Sequence, residues 1–198
     1  MANFNYAKKE LNLKIVYYGT SLGGKTTNLR SIYGRLTADR KGQMMSLATD
    51  LDQTIFFDFL PVEVGEVKGW KLRFHLYTVP GQVYYNASRR LVLKGVDGLV
   101  FVVDSQHERL DENIESMYYL RDNLKVYRLA LEDVPMVIQY NKRDLPNIMP
   151  IKELESQIND AGYQYFESVA IRGIGIFETL KAMCQLTIMQ QVDTLPTL

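Results

Sequence analysis

Gly19, Gly24, Lys25 and Thr26 stand in the order Gly-x-x-x-x-Gly-Lys-Thr, inside the stretch "GTSLGGKTTNL" (19–29). Small residues at this spacing let successive backbone N–H groups turn inward around phosphate oxygens. Lys25 would neutralise charge on the outer phosphates, and the Thr26 hydroxyl would ligate Mg²⁺. The helix expected behind the loop would aim its positive end at the anion. Ser21, Leu22, Gly23 and Thr27 complete the nucleotide-binding positions of this segment. An apolar run, "LKIVYYG" (13–19), precedes the loop, so the motif falls between a strand and a helix running to about Leu36.

A phosphate loop does not choose a base, but "NKRD" (141–144) does. The Asp144 carboxylate offers only acceptors, and guanine presents two adjacent donors, N1–H and the 2-amino group. Adenine has an acceptor at N1 and would be repelled. Asn141 reaches toward N7 and O6, and the Lys142 stem lies over the base plane. A backbone N–H near Val169 and Ala170, in "SVAIRG", would bond guanine O6.

The elements that must hold these residues are legible in the hydrophobic pattern. "GLVFVVDS" (98–105) and "PMVIQYNKRD" (135–144) read as buried strands, and "YQYFESVA" (163–170) as a last one. Helical stretches fall at 107–126, 151–161 and in "GIFETLKAMCQLTIMQQ". "TIFFDFLPVEV" and "WKLRFHLYTV", around "GEVKG", read as a hairpin, and residues 37–53 as a surface loop. The result is an α/β fold: a mostly parallel six-stranded sheet with one antiparallel edge strand and helices on both faces. In such sheets ligands bind beyond the carboxyl ends of the strands, where the motifs fall.

At 198 residues the chain fits one domain, 1–198, with a flexible tail from about 191. Lys plus Arg and Asp plus Glu number 23 each, so no net field favours nucleic acid or an anionic membrane. The single cysteine, Cys184, excludes an intrachain disulfide and reads as packing. No signal core, membrane span or lipidation pattern is expected, which points to a cytoplasmic protein.

With the phosphate loop, "PGQ" (80–82) and "NKRD" in this order, the chain resembles the Ras-like small GTPases of the P-loop NTPase class. More narrowly it is similar to the MglA family of bacterial polarity and motility GTPases. The stretches "KIVYYG", "FFDFLP", "RFHLYTVPGQVYYNASR", "LKGVDG" and "YNKRDLP" carry the likeness. It implies a GTP/GDP switch with Mg²⁺, hydrolysing GTP. Thr54 would be the switch I threonine, sensing the γ-phosphate and Mg²⁺. Gly81 would give its N–H to the γ-phosphate, and Gln82 would position the attacking water. Catalysis would thus rest on Gln82, Thr54 and Lys25, and the metal on Thr26 and Thr54. The resemblance also implies a Roadblock-type, MglB-like regulator, RomR-type polarity effectors, and a switch I strand that slides in register.

Three positions depart from ordinary patterns. Thr78 stands where Ras-like proteins carry an aspartate, as in the MglA family. Ser21 stands at a glycine position beside the γ-phosphate, where a side chain would hinder hydrolysis rather than binding. Gln53 replaces an arginine worth about 10³–10⁵ in rate among related GTPases. Arg40 and Lys41 share that loop but are not expected to substitute. The reading is a slow, monomeric GTPase, with a permanently GTP-bound scaffold as the alternative. His75 reads as a packed strand histidine, and Trp70 as turn packing or a partner anchor.

Overall fold

The structure, a computed structural model, describes residues 3–48, 54–81 and 85–191. Among these residues eight strands form one sheet. They are β1 (Asn3–Asn5), β2 (Glu10–Gly19), β3 (Met45–Ala48), β4 (Thr54–Val67), β5 (Trp70–Thr78), β6 (Gly98–Asp104), β7 (Met136–Asn141) and β8 (Tyr165–Glu167). The order is β3-β4-β5-β2-β6-β7-β8, with β1 paired antiparallel to β2. Five α-helices accompany them among the described residues: α1 (Lys25–Arg35), α2 (Asn86–Leu93), α3 (Leu110–Lys125), α4 (Ile151–Ile158) and α5 (Ile176–Gln191).

Side-chain parity explains the layers. Along β2, Leu11, Leu13, Ile15 and Tyr17 join a core with Leu29 and Ile32 of α1 and Leu180 and Met183 of α5. The alternate residues, Val16 and Tyr18, join a second core with Leu93 of α2, Leu120 of α3 and Leu154 of α4. β6 splits likewise, Val100 and Val102 to one face, Leu99, Phe101 and Val103 to the other. A strand covered on both faces has no solvent side, so "GLVFVVD" is buried at every position.

All six expected strands are present, and β2 pairs parallel with both β5 and β6. Two short strands extend the sheet beyond six. β3 lies within the stretch read as a surface loop, pairing antiparallel with β4. Both additions are three or four residues long, too short to register as a pattern. Trp70 resolves to packing: it is 1% exposed, with edge-on contacts to Phe4 and Tyr6 at 5.4 Å each. No described helix is long and apolar enough to cross a membrane.

The chain runs from β2 to one side of the sheet and returns to β6 on the other. That reversal opens a crevice at the carboxyl end of β2, where Gly19 begins the loop.

Candidate nucleotide site

The phosphate loop connects β2 to α1 without a capping side chain. Gly24 holds the N-cap position at φ 102°, left-handed backbone that favours glycine, and a Cβ there would overlap the Asn141 amide. The first turn of α1 carries no acidic residue, so its N–H groups and dipole remain suited to an anion. Lys25 is 6% exposed and donates to Gly19 O at 3.0 Å and Thr20 O at 2.6 Å. Burial, then the nearby Arg89 charge, lowers its ammonium to about 7. Such a cation, held on neutral carbonyls in a desolvated loop, is matched to a phosphate.

On one flank a buried carboxylate takes the place that Thr78 leaves without one. Asp58 of β4 is fully buried, and accepts from the Thr26 hydroxyl at 2.5 Å and the Thr78 hydroxyl at 2.7 Å. Ser46 of β3 donates to its other oxygen. The Asp58 N–H in turn donates to Thr78 Oγ1 at 2.9 Å. The two strands are antiparallel neighbours, so a carboxylate on β4 reaches the same corner as one at the end of β5. Thr26 and Asp58 are hard oxygen donors side by side, the chemistry that suits Mg²⁺ carried in with phosphate oxygens and water.

Gly81 lies directly against the loop: a Cβ on it would overlap the backbone of Ser21. Arg89 of α2 fixes this approach. Its side chain is buried, with Nε donating to Pro80 O at 2.8 Å and Nη2 to Gly81 O. Its guanidinium faces the rings of Tyr18 and Tyr119 at 5.6 and 5.9 Å.

On the base side Asn141 ties three segments together. Its amide donates to Gly23 O at 2.9 Å, and its oxygen accepts from Ala170 N–H at 2.9 Å and Ser168 Oγ at 3.0 Å. The Ala170 N–H expected on the base is therefore engaged by Asn141 here. Val169 is buried and donates its N–H to Ile174 O. Arg35 of α1 braces the segment after β8 through Arg172 O and Gly173 O, both at 2.8 Å. Lys142, at φ 65°, sets its ammonium 2.6 Å from Asp104, at the end of β6. Asp144 is exposed, its carboxylate without a hydrogen-bond or ion-pair partner among the described residues.

The ADP-ribosylation factor family matches residues 2–187. The chain belongs to that family of small GTPases. It is also 53% identical over 188 residues to the mutual gliding-motility protein MglA of Myxococcus xanthus strain DK1622, covering 95% of this chain and 96% of that protein. The ADP-ribosylation factor family is one of GTP-binding proteins, and here the phosphate loop after β2 and "NKRD" at the end of β7 meet through the Asn141–Gly23 bond.

Gln53 and Gln82 lie outside the described residues. Thr54 opens β4, paired with Ala48 of β3. Neither cation of the 37–53 stretch faces the loop: Lys41 lies over the Tyr33 ring at 4.1 Å, and exposed Arg40 borders a groove along α5. His75 is bonded to Asn12 at 2.9 Å and stacked on Phe59, as expected of a packed residue. Sequence reasoning missed Asp58, Arg89 and Asp104. The signal for Asp58 was available, since it is a lone charge within the apolar run "IFFDFL".

Proposed function

We propose that this GTPase is a GTP/GDP-dependent switch controlling cell polarity and motility, with slow intrinsic hydrolysis. The arrangement that carries the reading is buried Lys25 in the loop after β2 and exposed Asp144 after β7, linked through the Asn141–Gly23 bond, with no partner on Asp144 among the described residues. The likeness to a gliding-motility protein along nearly the whole chain supports the process assigned.

Gly19, Ser21, Leu22, Gly23, Gly24, Lys25, Thr26 and Thr27 bind the phosphates, while Asn141, Lys142, Asp144, Val169 and Ala170 frame the guanine. Thr26 and Thr54 would hold Mg²⁺, with Asp58 beside Thr26, and the ion would supply charge neutralisation. Gly81 senses the γ-phosphate from its seat on Ser21, and Gln82 orients water. GDP lacks the group that Thr54 and Gly81 contact, so the two nucleotides favour different switch conformations. Gln53 brings no positive charge to the developing transition state, and Ser21 crowds the approach of Gln82. Both features slow hydrolysis without weakening the grip.

The protein acts in the cytoplasm as a monomer, recruited to a pole by partners. An MglB-like Roadblock regulator and RomR-type effectors are the partners of this reading. Nucleotide extracted from freshly purified protein tests it. Mostly GDP indicates a cycling switch, mostly GTP a scaffold without turnover, and adenine nucleotide or none removes the assignment.

A further inference from the structure

Thr20 and Ser21 are held from outside the phosphate loop by a closed ring of hydrogen bonds. The Thr20 side chain is buried, and its hydroxyl donates to Glu112 Oε2 at 2.9 Å. The other oxygen of Glu112 accepts from Arg109 Nη1 at 2.5 Å. Arg109 Nη2 then returns to the loop, donating to Ser21 O at 2.7 Å. Arg109 is the N-cap residue of α3 and Glu112 lies in its first turn, so a rigid helix start carries both.

We infer that Arg109 and Glu112 are positioning residues of the phosphate loop, acting through the Thr20 hydroxyl and the Ser21 carbonyl. The reasoning begins with the peptide plane. A trans peptide points its C=O and the next N–H in opposite directions. Arg109 draws the Ser21 carbonyl toward α3, and so turns the Leu22 N–H away from α3, toward the phosphate side of the loop. Leu22 itself sits at φ 57°, a left-handed conformation that a β-carbon disfavours and that outside contacts must maintain. The Thr20 bond prevents the loop from rolling about that peptide, because its hydroxyl would otherwise be buried without an acceptor.

The ring has a second consequence at Ser21. Gly81 rests on the Ser21 backbone, and Arg89 holds the Gly81 carbonyl from the other side. An arginine therefore fixes each partner of the Ser21–Gly81 contact. The ion pair alone would be weak, since Glu112 is 44% exposed and three residues from Arg109. Its effect comes from the backbone carbonyl, a charge-assisted bond that Glu112 supports by holding Arg109 in place. Asp104, 3.8 Å from Arg109 Nε, also receives Lys142, which ties the ring to the base side.

This inference rests on the nucleotide-binding reading, and release of a fluorescent GDP separates the two. Thr20→Val and Arg109→Gln should each speed release about tenfold, the worth of one charge-assisted bond. The double variant should be no faster than the faster single, because both break one ring. Thr20→Ser, which keeps the hydroxyl, should return release to within about twofold of wild type. Amide hydrogen exchange over 19–24 in nucleotide-free protein should quicken in the same two variants, with the thermal midpoint unchanged. Release unaltered in both singles, effects that multiply in the double, or a midpoint that falls in step with release would each overturn the inference. A wild type that retains no guanine nucleotide overturns the underlying reading as well.

Discussion

The Thr26 hydroxyl donates to Asp58 at 2.5 Å, although Asp58 belongs to β4 and not to the strand that ends in "TVPGQ". Thr78, at the end of that strand, bonds the same carboxylate oxygen. The negative charge facing the first helical threonine has thus moved one strand across the sheet, with Thr78 as its support.

Asp58→Asn keeps the shape but removes the charge and one of the two acceptor oxygens. Release of GDP in excess Mg²⁺ should accelerate about tenfold or more, toward the rate seen with a chelator, as loss of a charge-assisted contact implies. Stopped-flow release across a Mg²⁺ titration checks this. A variant with wild-type Mg²⁺ dependence would place the metal's support elsewhere.

Asp144→Asn replaces an acceptor pair with one acceptor and one donor. Guanine affinity should fall by about 2 kcal/mol or more, and xanthine nucleotides should gain relative to guanine ones. Competition calorimetry with GDP and XDP reads the exchange directly. Equal loss for both bases would mean that Asp144 supports the loop and does not read the ring.

Lys25 should make nucleotide binding pH-dependent. Burial first, then Arg89, lowers its ammonium to about 7 in the empty loop, against a raising pull from Asp58. The unfolded chain keeps that proton to about pH 10. Between about pH 7 and about pH 10 the unfolded state therefore binds more protons, and nucleotide-free protein gains stability as pH rises. Phosphate restores the charged form, so binding at about pH 8 should take up close to one proton. Calorimetry in two buffers of different ionisation enthalpy should give different apparent enthalpies. Identical values would show Lys25 already charged.

Hydrolysis should respond to the two loop departures separately. Gln53→Arg should raise the single-turnover rate by about tenfold or more, a fraction of what a positioned arginine supplies. Ser21→Gly should give a smaller gain and leave GTP affinity within about twofold, since the loop amides that bind phosphate are unchanged. A wild-type rate already limited by product release would refute slow chemistry.

Trp70→Ala serves as the contrasting case. Removing a side chain that is 1% exposed should cost about 3–5 kcal/mol of stability. Trp70 begins β5, whereas the crevice lies at that strand's other end, so GDP affinity of the folded fraction should not move. Denaturant unfolding alongside nucleotide titration separates the two quantities.

What could be read from the sequence follows from how local each feature is. The phosphate loop and "NKRD" state their geometry in consecutive residues, because turn conformation and strand-end placement are set within a few positions. The buried strands announce themselves because two covered faces require unbroken apolar runs, as in "GLVFVVD". Asp58 was different. Its partners Thr26, Ser46 and Thr78 lie 32, 12 and 20 residues away, and only sheet pairing brings them together. Arg89 and Arg109 bond to backbone carbonyls, which leave no residue-type signal at all. The α2 helix has eight residues and no side-chain cap, so nothing in the sequence marks its start.

Placing the carboxylate on β4 sets it on the same rod as Thr54. Asp58 and Thr54 share a single strand, four positions apart, or about 13 Å along it. A two-residue slip of that rod would preserve which way its side chains face, yet it would carry Asp58 out of reach of Thr26 and shift Thr54 by the same step. Release of the cation and withdrawal of the threonine would then be one movement, where a carboxylate fixed on β5 would have allowed two.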